Sequence, residues 1–135
     1  MSDWNERIIE EFRASGGAVG GGFEGRPLLL LNHIGAKSGR SRTTPLMYQA
    51  IDGGYAIFAS KAGAHTHPGW MYNLRANPEV TIEVGTETIR VAAREAAPRE
   101  RAPIWEKQKA DYPIFAEYEA GTDRVIPVFI LEPLA

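Results

Sequence analysis

Two glycine-punctuated basic segments contain the residue types that bind anions. In the first, Gly35 to Pro45, lysine, arginine and hydroxyl side chains alternate with glycines that let backbone N–H groups turn toward a ligand. Charge-assisted hydrogen bonds from such side chains suit phosphate or carboxylate. The second segment, Ala59 to Trp70, has a similar composition. We therefore predict that the two segments face one anionic ligand.

The positive charge is local. Residues 26–51 contain four Lys or Arg and no Asp or Glu, although the whole chain of 135 residues has a net charge of −2. Taken alone, the first segment is also compatible with a solvated surface hairpin, because most surface charges have no specific ligand. The near-neutral total predicts no nucleic-acid partner, since such proteins present a broad basic face.

Other site chemistries find little support. The chain has no cysteine, which excludes disulfides, zinc–thiolate sites, iron–sulfur clusters and cysteine nucleophiles. His65 and His67 lack a third ligand nearby in sequence, so we predict no metal site. No GxSxG motif is present, and Ser60 has no evident His–Asp pair. A hydrolase triad is therefore not indicated.

The N-terminal region reads as a helix followed by a link. From Asp3 to Ala14 the apolar residues Trp4, Ile8, Ile9 and Phe12 recur on one helical face, with Asp3 as a potential cap. That face could dock on its own domain, on another subunit or on a membrane surface, and the first is the commonest case. The link contains a formal GxGxxG at residues 20–25, but it follows a helix and precedes a strand, unlike a dinucleotide-binding turn.

The remaining pattern predicts an α+β fold that is mainly β, a small antiparallel barrel with helices packed outside. Because Pro103 is tolerated only in a first turn, one helix should begin near Glu100. The predicted strands are 27–34, 46–51, 55–59, 80–84, 88–92 and 126–131, and the later helices are 70–76, 100–111 and 113–119. We expect two parts, the helix and link at residues 1–25 and the barrel domain at 26–135.

Three aromatic residues, Tyr112, Phe115 and Tyr118, recur at helical spacing near the end of the chain. Such stripes are usually core, yet aromatic side chains also sandwich flat, conjugated ligands. Trp70 has the same two interpretations.

Several motifs in order resemble those of the deazaflavin-dependent nitroreductase family. The resemblance covers roughly residues 25 to 135. It rests on four stretches: Gly35-Ala36-Lys37-Ser38-Gly39-Arg40-Ser41-Arg42-Thr43-Thr44-Pro45-Leu46, Ser60-Lys61-Ala62-Gly63-Ala64, His67-Pro68-Gly69-Trp70-Met71-Tyr72-Asn73-Leu74-Arg75-Ala76-Asn77-Pro78, and Tyr112-Pro113 with Thr122-Asp123-Arg124-Val125-Ile126-Pro127-Val128.

The resemblance implies a split β-barrel of the FMN-binding type that binds coenzyme F420, an 8-hydroxy-5-deazaflavin with a phosphate and a polyglutamate tail. Fixed positive charge suits that tail, and an apolar wall suits the flat ring system. Carried over by motif, the phosphate and tail would be held by Lys37, Ser38, Arg42 and Lys61. The ring pocket would be lined by Pro45, Met47, Ala59, Ser60 and Trp70.

The same resemblance implies hydride transfer from the reduced deazaflavin to a quinone such as menaquinone, and in some members to nitroaromatics. The protein would align donor and acceptor, exclude water and offer a hydrogen bond to the developing oxyanion. Tyr112, Phe115 and Tyr118 would border the acceptor, and the catalytic candidates are Ser60, Tyr112 and Tyr118.

Three positions depart from the pattern of the nitroreductive member. Phe115 replaces a tyrosine, Gly69 replaces a bulkier residue and Ala36 replaces a basic one. We therefore expect cofactor binding more strongly than nitro chemistry. A non-catalytic carrier of a deazaflavin or FMN is the alternative, and a ring fully covered by the last helix would favour it. A cytoplasmic location, with peripheral membrane contact or a homodimer, completes the expectations.

Overall fold

Six antiparallel strands close into a barrel in a computed structural model that describes residues 3–20 and 26–134. The order around the barrel is β1-β2-β3-β6-β5-β4. The strands are β1 (Leu28–Ile34), β2 (Ser41–Ile51), β3 (Gly54–Phe58), β4 (Glu79–Val84), β5 (Glu87–Glu95) and β6 (Val128–Pro133), and the helices are α1 (Asp3–Ser15), α2 (Gly69–Ala76), α3 (Pro98–Asp111) and α4 (Ile114–Ala120). The predicted α+β barrel with outer helices is confirmed.

The leucine-rich strand β1 is buried on both of its faces. Leu29 and Leu31 point into the barrel core, while Leu28 and Leu30 pack against α1. Side chains alternate across a strand, so a strand covered on both sides must be apolar at successive positions. This double burial explains why the sequence of β1 shows no polar alternation over its first four residues.

Helix α1 docks on its own barrel. Its residues Ile8, Ile9 and Phe12 are buried in a cluster with β1. Arg13 closes the contact with two hydrogen bonds to the Glu83 carboxylate on β4, at 3.0 and 2.8 Å. Residues 21–25, which contain most of the formal GxGxxG, lie outside the described ranges.

Strand β2 begins earlier than predicted, which corrects the interpretation of Gly35 to Pro45 as one loop. Only residues 35–40 form the turn, and residues 41–45 already pair with β1. Pro45 lies opposite Leu30, although proline cannot donate to a ladder. In the described part of the chain, residues 41–47 of β2 have β1 as their strand neighbour and only residues 48–51 pair with β3. Proline is accepted at such an unpaired edge.

Helix α3 also starts earlier than predicted, at Pro98, so that Pro103 lies inside the helix and not in its first turn. Tertiary contacts hold the helix on the N-terminal side of this proline. Glu100 accepts two hydrogen bonds from Arg94, and Arg101 donates to the Ile126 carbonyl at 3.0 Å. The prediction that Pro103 limits the helix start was wrong because these contacts offset the lost backbone hydrogen bond.

The helices α3 and α4 cover a second apolar cluster outside the barrel. Phe58 of β3, Trp105 of α3 and Phe115 of α4 meet there in tilted and edge-to-face contacts with centroids 5.6–6.1 Å apart. Aromatic pairs prefer such arrangements. None of the described helices is long and apolar enough to span a membrane.

Adjacent glycines in the β2–β3 hairpin provide a test of the barrel closure. A side chain at Gly54 would meet the backbone carbonyl of Leu131 on β6, whereas one at Gly53, where φ is +80°, would meet open space. We expect Gly54→Ala to lower the free energy of unfolding by about 2–3 kcal/mol through overpacking. Gly53→Ala should cost about 1 kcal/mol from its left-handed backbone alone. Urea unfolding measures both, and equal losses would contradict the close approach of β3 and β6.

Candidate functional site

A cavity of about 730 Å³ opens where the β1–β2 turn meets α2. Its lining residues come from the ends of β1 and β2, from the turn between them, from the start of α2 and from α1. They are Asn5, His33, Gly35, Ala36, Lys37, Ser38, Arg42, Thr43, Thr44, Gly69, Trp70, Tyr72 and Asn73. The set includes two permanent cations and no carboxylate, so the cavity suits an anion.

The cations of this cavity lack a carboxylate partner in the part of the chain that the structure describes. Among residues 5–20 and 26–134, no carboxylate lies at ion-pair distance from Lys37 or Arg42, and both side chains are exposed. The first turn of α2 adds partial positive charge because Pro68, the residue before it, has no side chain that could cap its N–H groups. An anionic ligand would therefore interact favourably with the two cations and with the uncapped N–H groups of α2.

The turn that presents Lys37 and Ser38 is built from backbone and hydroxyl hydrogen bonds. Gly35 donates to the Arg40 carbonyl at 2.9 Å, and its own carbonyl accepts from Gly39 at 2.9 Å. Ser38 accepts from the Arg40 N–H at 3.2 Å. A side chain at Gly35 would displace the Ser38 hydroxyl from its present position.

A buried histidine connects this turn to α2. His33 is 3% exposed, and its Nδ1 lies 2.9 Å from the Asn73 amide nitrogen while its Nε2 lies 2.9 Å from the Thr44 hydroxyl. The Asn73 side-chain oxygen accepts from the Ala36 N–H at 2.8 Å. Burial, assisted by the nearby Arg42 charge, lowers the pKa of His33 to about 4. The imidazole is therefore neutral at pH 7.

The second basic segment is held in place by Arg124. This guanidinium donates to the carbonyls of Ala59, Ser60 and Ala64 at 2.7–2.9 Å, and it contacts His67 Nδ1 at 3.0 Å. Desolvation and the Arg124 charge lower the pKa of His67. One side chain thus fixes a loop that has little regular structure of its own.

Lys61 lies at the start of a 3-10 turn, Lys61–Gly63, in the second segment. Its φ of +46° is unfavourable for a residue with a side chain, and its ammonium group is exposed, 3.2 Å from the Thr66 hydroxyl. Behind it, Gly63 approaches the backbone of Tyr118 so closely that a side chain would lie 3.0 Å away. The second segment therefore packs against α4.

The aromatic trio lies along this same contact. Phe115 is 4% exposed and packs between Phe58 and Trp105, whereas Tyr112 and Tyr118 are half-buried at the margin of that cluster. Phe115 and Tyr118 make an edge-to-face contact with centroids 5.4 Å apart. For Phe115, packing is the role that this structure shows.

The structure brings four of the predicted site residues together at the large cavity and places the others elsewhere. Lys37, Ser38, Arg42 and Trp70 line the large cavity. The others do not line it: Pro45 and Met47 lie half-buried on β2, Ala59 is fully buried at the end of β3, and Ser60, Lys61, Tyr112, Phe115 and Tyr118 lie in or near the contact between the second segment and α4.

Sequence reasoning gave no role to His33, Asn73 or Arg124. His33 ends the inward-facing series of β1, where a polar residue on a buried face is a signal that an alternation analysis could have found. Asn73 sits on the helical face next to Trp70 and Gly69, but its two partners are 37 and 40 residues away in sequence. No local pattern predicts such contacts.

The fold and cavity together define a small-barrel protein with a site for a ligand that is anionic at one end and apolar at the other. Trp70, 7% exposed and packed edge-to-face on Phe129, provides the apolar wall. The unpaired cations, the uncapped helix start and the cavity size fit a phosphate-bearing cofactor with a flat ring system.

Comparison with known proteins agrees with this class. A model of the family described as F420H(2)-dependent quinone reductase matches residues 4–133. The F420H(2)-dependent quinone reductase Rv1261c of Mycobacterium tuberculosis is 37% identical over 124 residues, which are 89% of this chain and 83% of that protein. The chain therefore belongs to the F420H(2)-dependent quinone reductase family. Coenzyme F420 as cofactor and quinone reduction as activity are confirmed at the level of this family, as is the family resemblance itself.

Solved structures support the same assignment. An F420-H2 dependent reductase, FDR-A, is 44% identical with a TM-score of 0.72 and covers 79% of this chain and 95% of its own. A structure described as a domain-swapped dimer is 40% identical with a TM-score of 0.74 and covers 96% and 98%. HutZ, the heme storage protein of Vibrio cholerae, is 19% identical with a TM-score of 0.61 and shares the fold alone.

The buried His33 makes stability depend on pH. Its pKa is lower in the folded protein than in the unfolded chain, where it is near 6.5, so the unfolded chain binds more protons between pH 6.5 and 4. His33 does not lower the free energy of unfolding above pH 6.5. As the pH falls to 4, we expect this free energy to decrease by roughly 2–3 kcal/mol. Urea unfolding at several pH values should show this loss in the wild type and in His65→Asn, which removes an exposed histidine. The loss should be smaller by about this amount in His33→Asn, where other groups with a lowered pKa such as His67 still contribute, and an unchanged pH dependence there would be incompatible with a buried neutral imidazole.

The Arg124 contacts predict local behaviour of the second segment. Lysine keeps the charge, but its three N–H donors share one nitrogen and cannot span the carbonyls that the Arg124 fork reaches, so Arg124→Lys should open the loop. Amide hydrogen exchange at Gly63 and Ala64 should accelerate by roughly 10- to 100-fold, while exchange at Gly35 and Gly39 in the first turn stays unchanged. Equal acceleration in both turns would mean that Arg124 supports the whole fold and not this loop.

Proposed function

We propose that the large cavity binds coenzyme F420 through its phosphate and polyglutamate tail, with Lys37, Ser38 and Arg42 as the tail-binding residues. The observation that carries the proposal is that the charged side chains of the lining are two unpaired cations without a carboxylate. Placing two cations together without counter-charges is unfavourable in an empty site and favourable when an anion lies between them. The N-terminal end of α2 adds to this preference.

Trp70 would pack along the ring system, since it is the aromatic residue of the cavity wall with a rigid, buried position. Its neighbour Gly69 leaves open space where another residue would project a side chain, and this space adds room at the ring end of the cavity. Beyond that end, we propose that the ring pocket includes Pro45, Met47, Ala59 and Ser60. We propose Lys61, whose ammonium group is exposed outside the cavity lining, as a further ligand of the anionic tail. Ala59 would act by shaping the end of β3, because its side chain is fully buried and its carbonyl is bound to Arg124.

Reduced coenzyme F420 supplies the hydride in this reaction. The residues of the chain would fix the ring face and exclude water, and the hydroxyls of Ser60, Tyr112 and Tyr118 would offer hydrogen bonds to the acceptor oxygen. We propose a quinone of the menaquinone type as the acceptor. Phe115 has no hydroxyl and is buried between Phe58 and Trp105, so we propose that nitroaromatics are reduced slowly.

A reductase is favoured over a carrier of a deazaflavin or FMN by the position of α4. Among the described residues, none from α4 lines the cavity, so the last helix does not cover a ligand bound there. An acceptor could therefore approach the ring from the solvent. A carrier would protect its ligand from such an approach.

Location and assembly follow as further parts of the proposal. We place the enzyme in the cytoplasm with peripheral contact to a membrane, where a lipid-soluble quinone would be met, and without a nucleic-acid partner. A homodimer is supported by the 40% identical structure that is described as a domain-swapped dimer.

The function is tested by mixing the purified protein with reduced coenzyme F420 and menadione and following the return of oxidised deazaflavin absorbance. Oxidation that depends on both protein and acceptor supports the reductase. Tight deazaflavin binding without turnover supports the carrier, and a parallel FMN titration tests cofactor choice. Absence of both binding and turnover would refute the proposal.

Cofactor affinity provides a residue-level prediction. Lys37→Ala and Arg42→Ala should each weaken coenzyme F420 binding by roughly 10- to 100-fold, the effect of losing a charge-assisted hydrogen bond. Fluorescence titration of the deazaflavin measures the Kd, and added salt should reduce the difference from the wild type. Arg90→Ala, which removes an exposed cation of β5 outside the cavity, is the matched control. Unchanged affinity in both site variants would place the tail elsewhere.

A further inference from the structure

Three hydrogen bonds connect the backbone of the β1–β2 turn to a hydroxyl on the cavity wall. They join the Ala36 N–H, the Asn73 amide, the His33 ring and the Thr44 hydroxyl, each at 2.8 or 2.9 Å. These groups come from the turn, α2, β1 and β2, and all four residues line the cavity.

The orientation of the Asn73 amide is fixed by its two partners. The Ala36 N–H can only donate, so the Asn73 atom that faces it must be the carbonyl oxygen. The amide nitrogen then faces His33 Nδ1 and donates to it. A rotated amide would place two donors against each other, which buried polar groups avoid.

The amide in turn fixes the tautomer of the histidine. Because Nδ1 accepts from Asn73, the ring proton lies on Nε2, and Nε2 donates to the Thr44 oxygen. The low pKa of His33 agrees with a single neutral tautomer. Thr44 is therefore an acceptor toward His33, and its own hydroxyl proton is directed to a different partner.

We propose that Thr44 donates this hydroxyl proton to an oxygen or nitrogen acceptor of the ligand in the cavity, with His33 and Asn73 as the positioning residues that set the direction. The inference rests on the proposed function, since the ligand is taken to be coenzyme F420. Thr44 is half-buried in the cavity wall, on the same face of β2 as Arg42. Arg42 and the oriented Thr44 hydroxyl therefore contact the same part of the ligand.

The neighbouring Thr43 shows the opposite arrangement and supplies a matched control. It also lines the cavity, but its hydroxyl donates to the Asn32 side-chain oxygen at 2.8 Å. Asn32 in turn donates to Glu83 and Thr81 on β4 at 3.2 Å. The Thr43 proton is therefore used within the protein, whereas the Thr44 proton is offered to the cavity.

The test compares three variants by fluorescence titration of coenzyme F420 with the full chain. Thr44→Val removes the hydroxyl at nearly constant volume and should raise the Kd by about threefold to tenfold, the effect of one neutral hydrogen bond. Thr44→Ser restores the donor and should return the Kd to within about twofold of the wild type. Thr43→Val should change the Kd by less than about twofold, since its proton is already used.

A double-mutant cycle separates positioning from general support. If Asn73 orients the Thr44 donor through His33, then Thr44→Val should cost little in an Asn73→Ala background, because the donor has already lost its direction. Additive losses would mean that Asn73 acts on the ligand by another route. Nitrogen NMR of the ligand-free protein gives a second readout: the His33 ring should be a single Nε2–H tautomer in the wild type and a mixture in Asn73→Ala.

The outcomes distinguish this inference from the proposed function. A wild-type protein that does not bind coenzyme F420 overturns both. A wild type that binds, combined with an unchanged Kd in Thr44→Val or a His33 ring protonated on Nδ1, overturns the inference and leaves the cofactor assignment standing. Faster exchange of the Ala36 amide in Asn73→Ala, together with the coupled Kd values, supports it.

Discussion

The double burial of β1 is the constraint on which the rest of the structure depends. Because the strand carries the barrel core on one face and α1 on the other, its register cannot shift by one residue without exchanging the two apolar sets. A fixed register places His33 at the inward end of the strand and Asn32 on the outer face. The two polar networks of the cavity region, one through Thr44 and one through Thr43, therefore begin from adjacent residues of one strand.

The second constraint on the structure is electrostatic and concerns the cations of the cavity. Among the residues whose side chains are described, Lys37 and Arg42 of the cavity have no carboxylate partner, although ion pairs form elsewhere, such as those of Arg94 with Glu100 and Glu132. Ion pairs at the surface contribute little net stability, whereas cations left unpaired at a cavity are available to an anionic ligand. The fold therefore contains both ion-paired arginines, such as Arg94, and an arginine that lines a cavity, Arg42. This contrast is consistent with the F420H(2)-dependent quinone reductase family to which the chain belongs.

Much of the fold could be predicted from the sequence because the signals were local. Alternation and turn residues gave the strands and the hairpin at residues 52–53, and Gly121 correctly marked the end of α4. The errors occurred where tertiary contacts decided the outcome. Pro45 entered a strand because its edge is unpaired, and Pro103 entered a helix that is held by Arg94 and the Ile126 carbonyl. At the site, composition identified the cations of the first turn, but the residues that position them, such as Asn73, act across 37 or more residues of sequence.

The change of partner along β2 has a consequence for how this barrel tolerates variation. The first part of the strand pairs with β1 and the last part pairs with β3, so the two pairings are set by separate turns. The length of the turn at residues 35–40 is therefore independent of the hairpin at residues 52–53 that carries the barrel onward to β3 and β6. Because neither ladder includes residues 35–40, the length of that turn can differ without shifting the register of β1 with β2 or of β2 with β3. The cavity lining comes from this turn as well as from β1, β2, α1 and α2, so the turn is the part of the lining whose length the barrel ladders do not set.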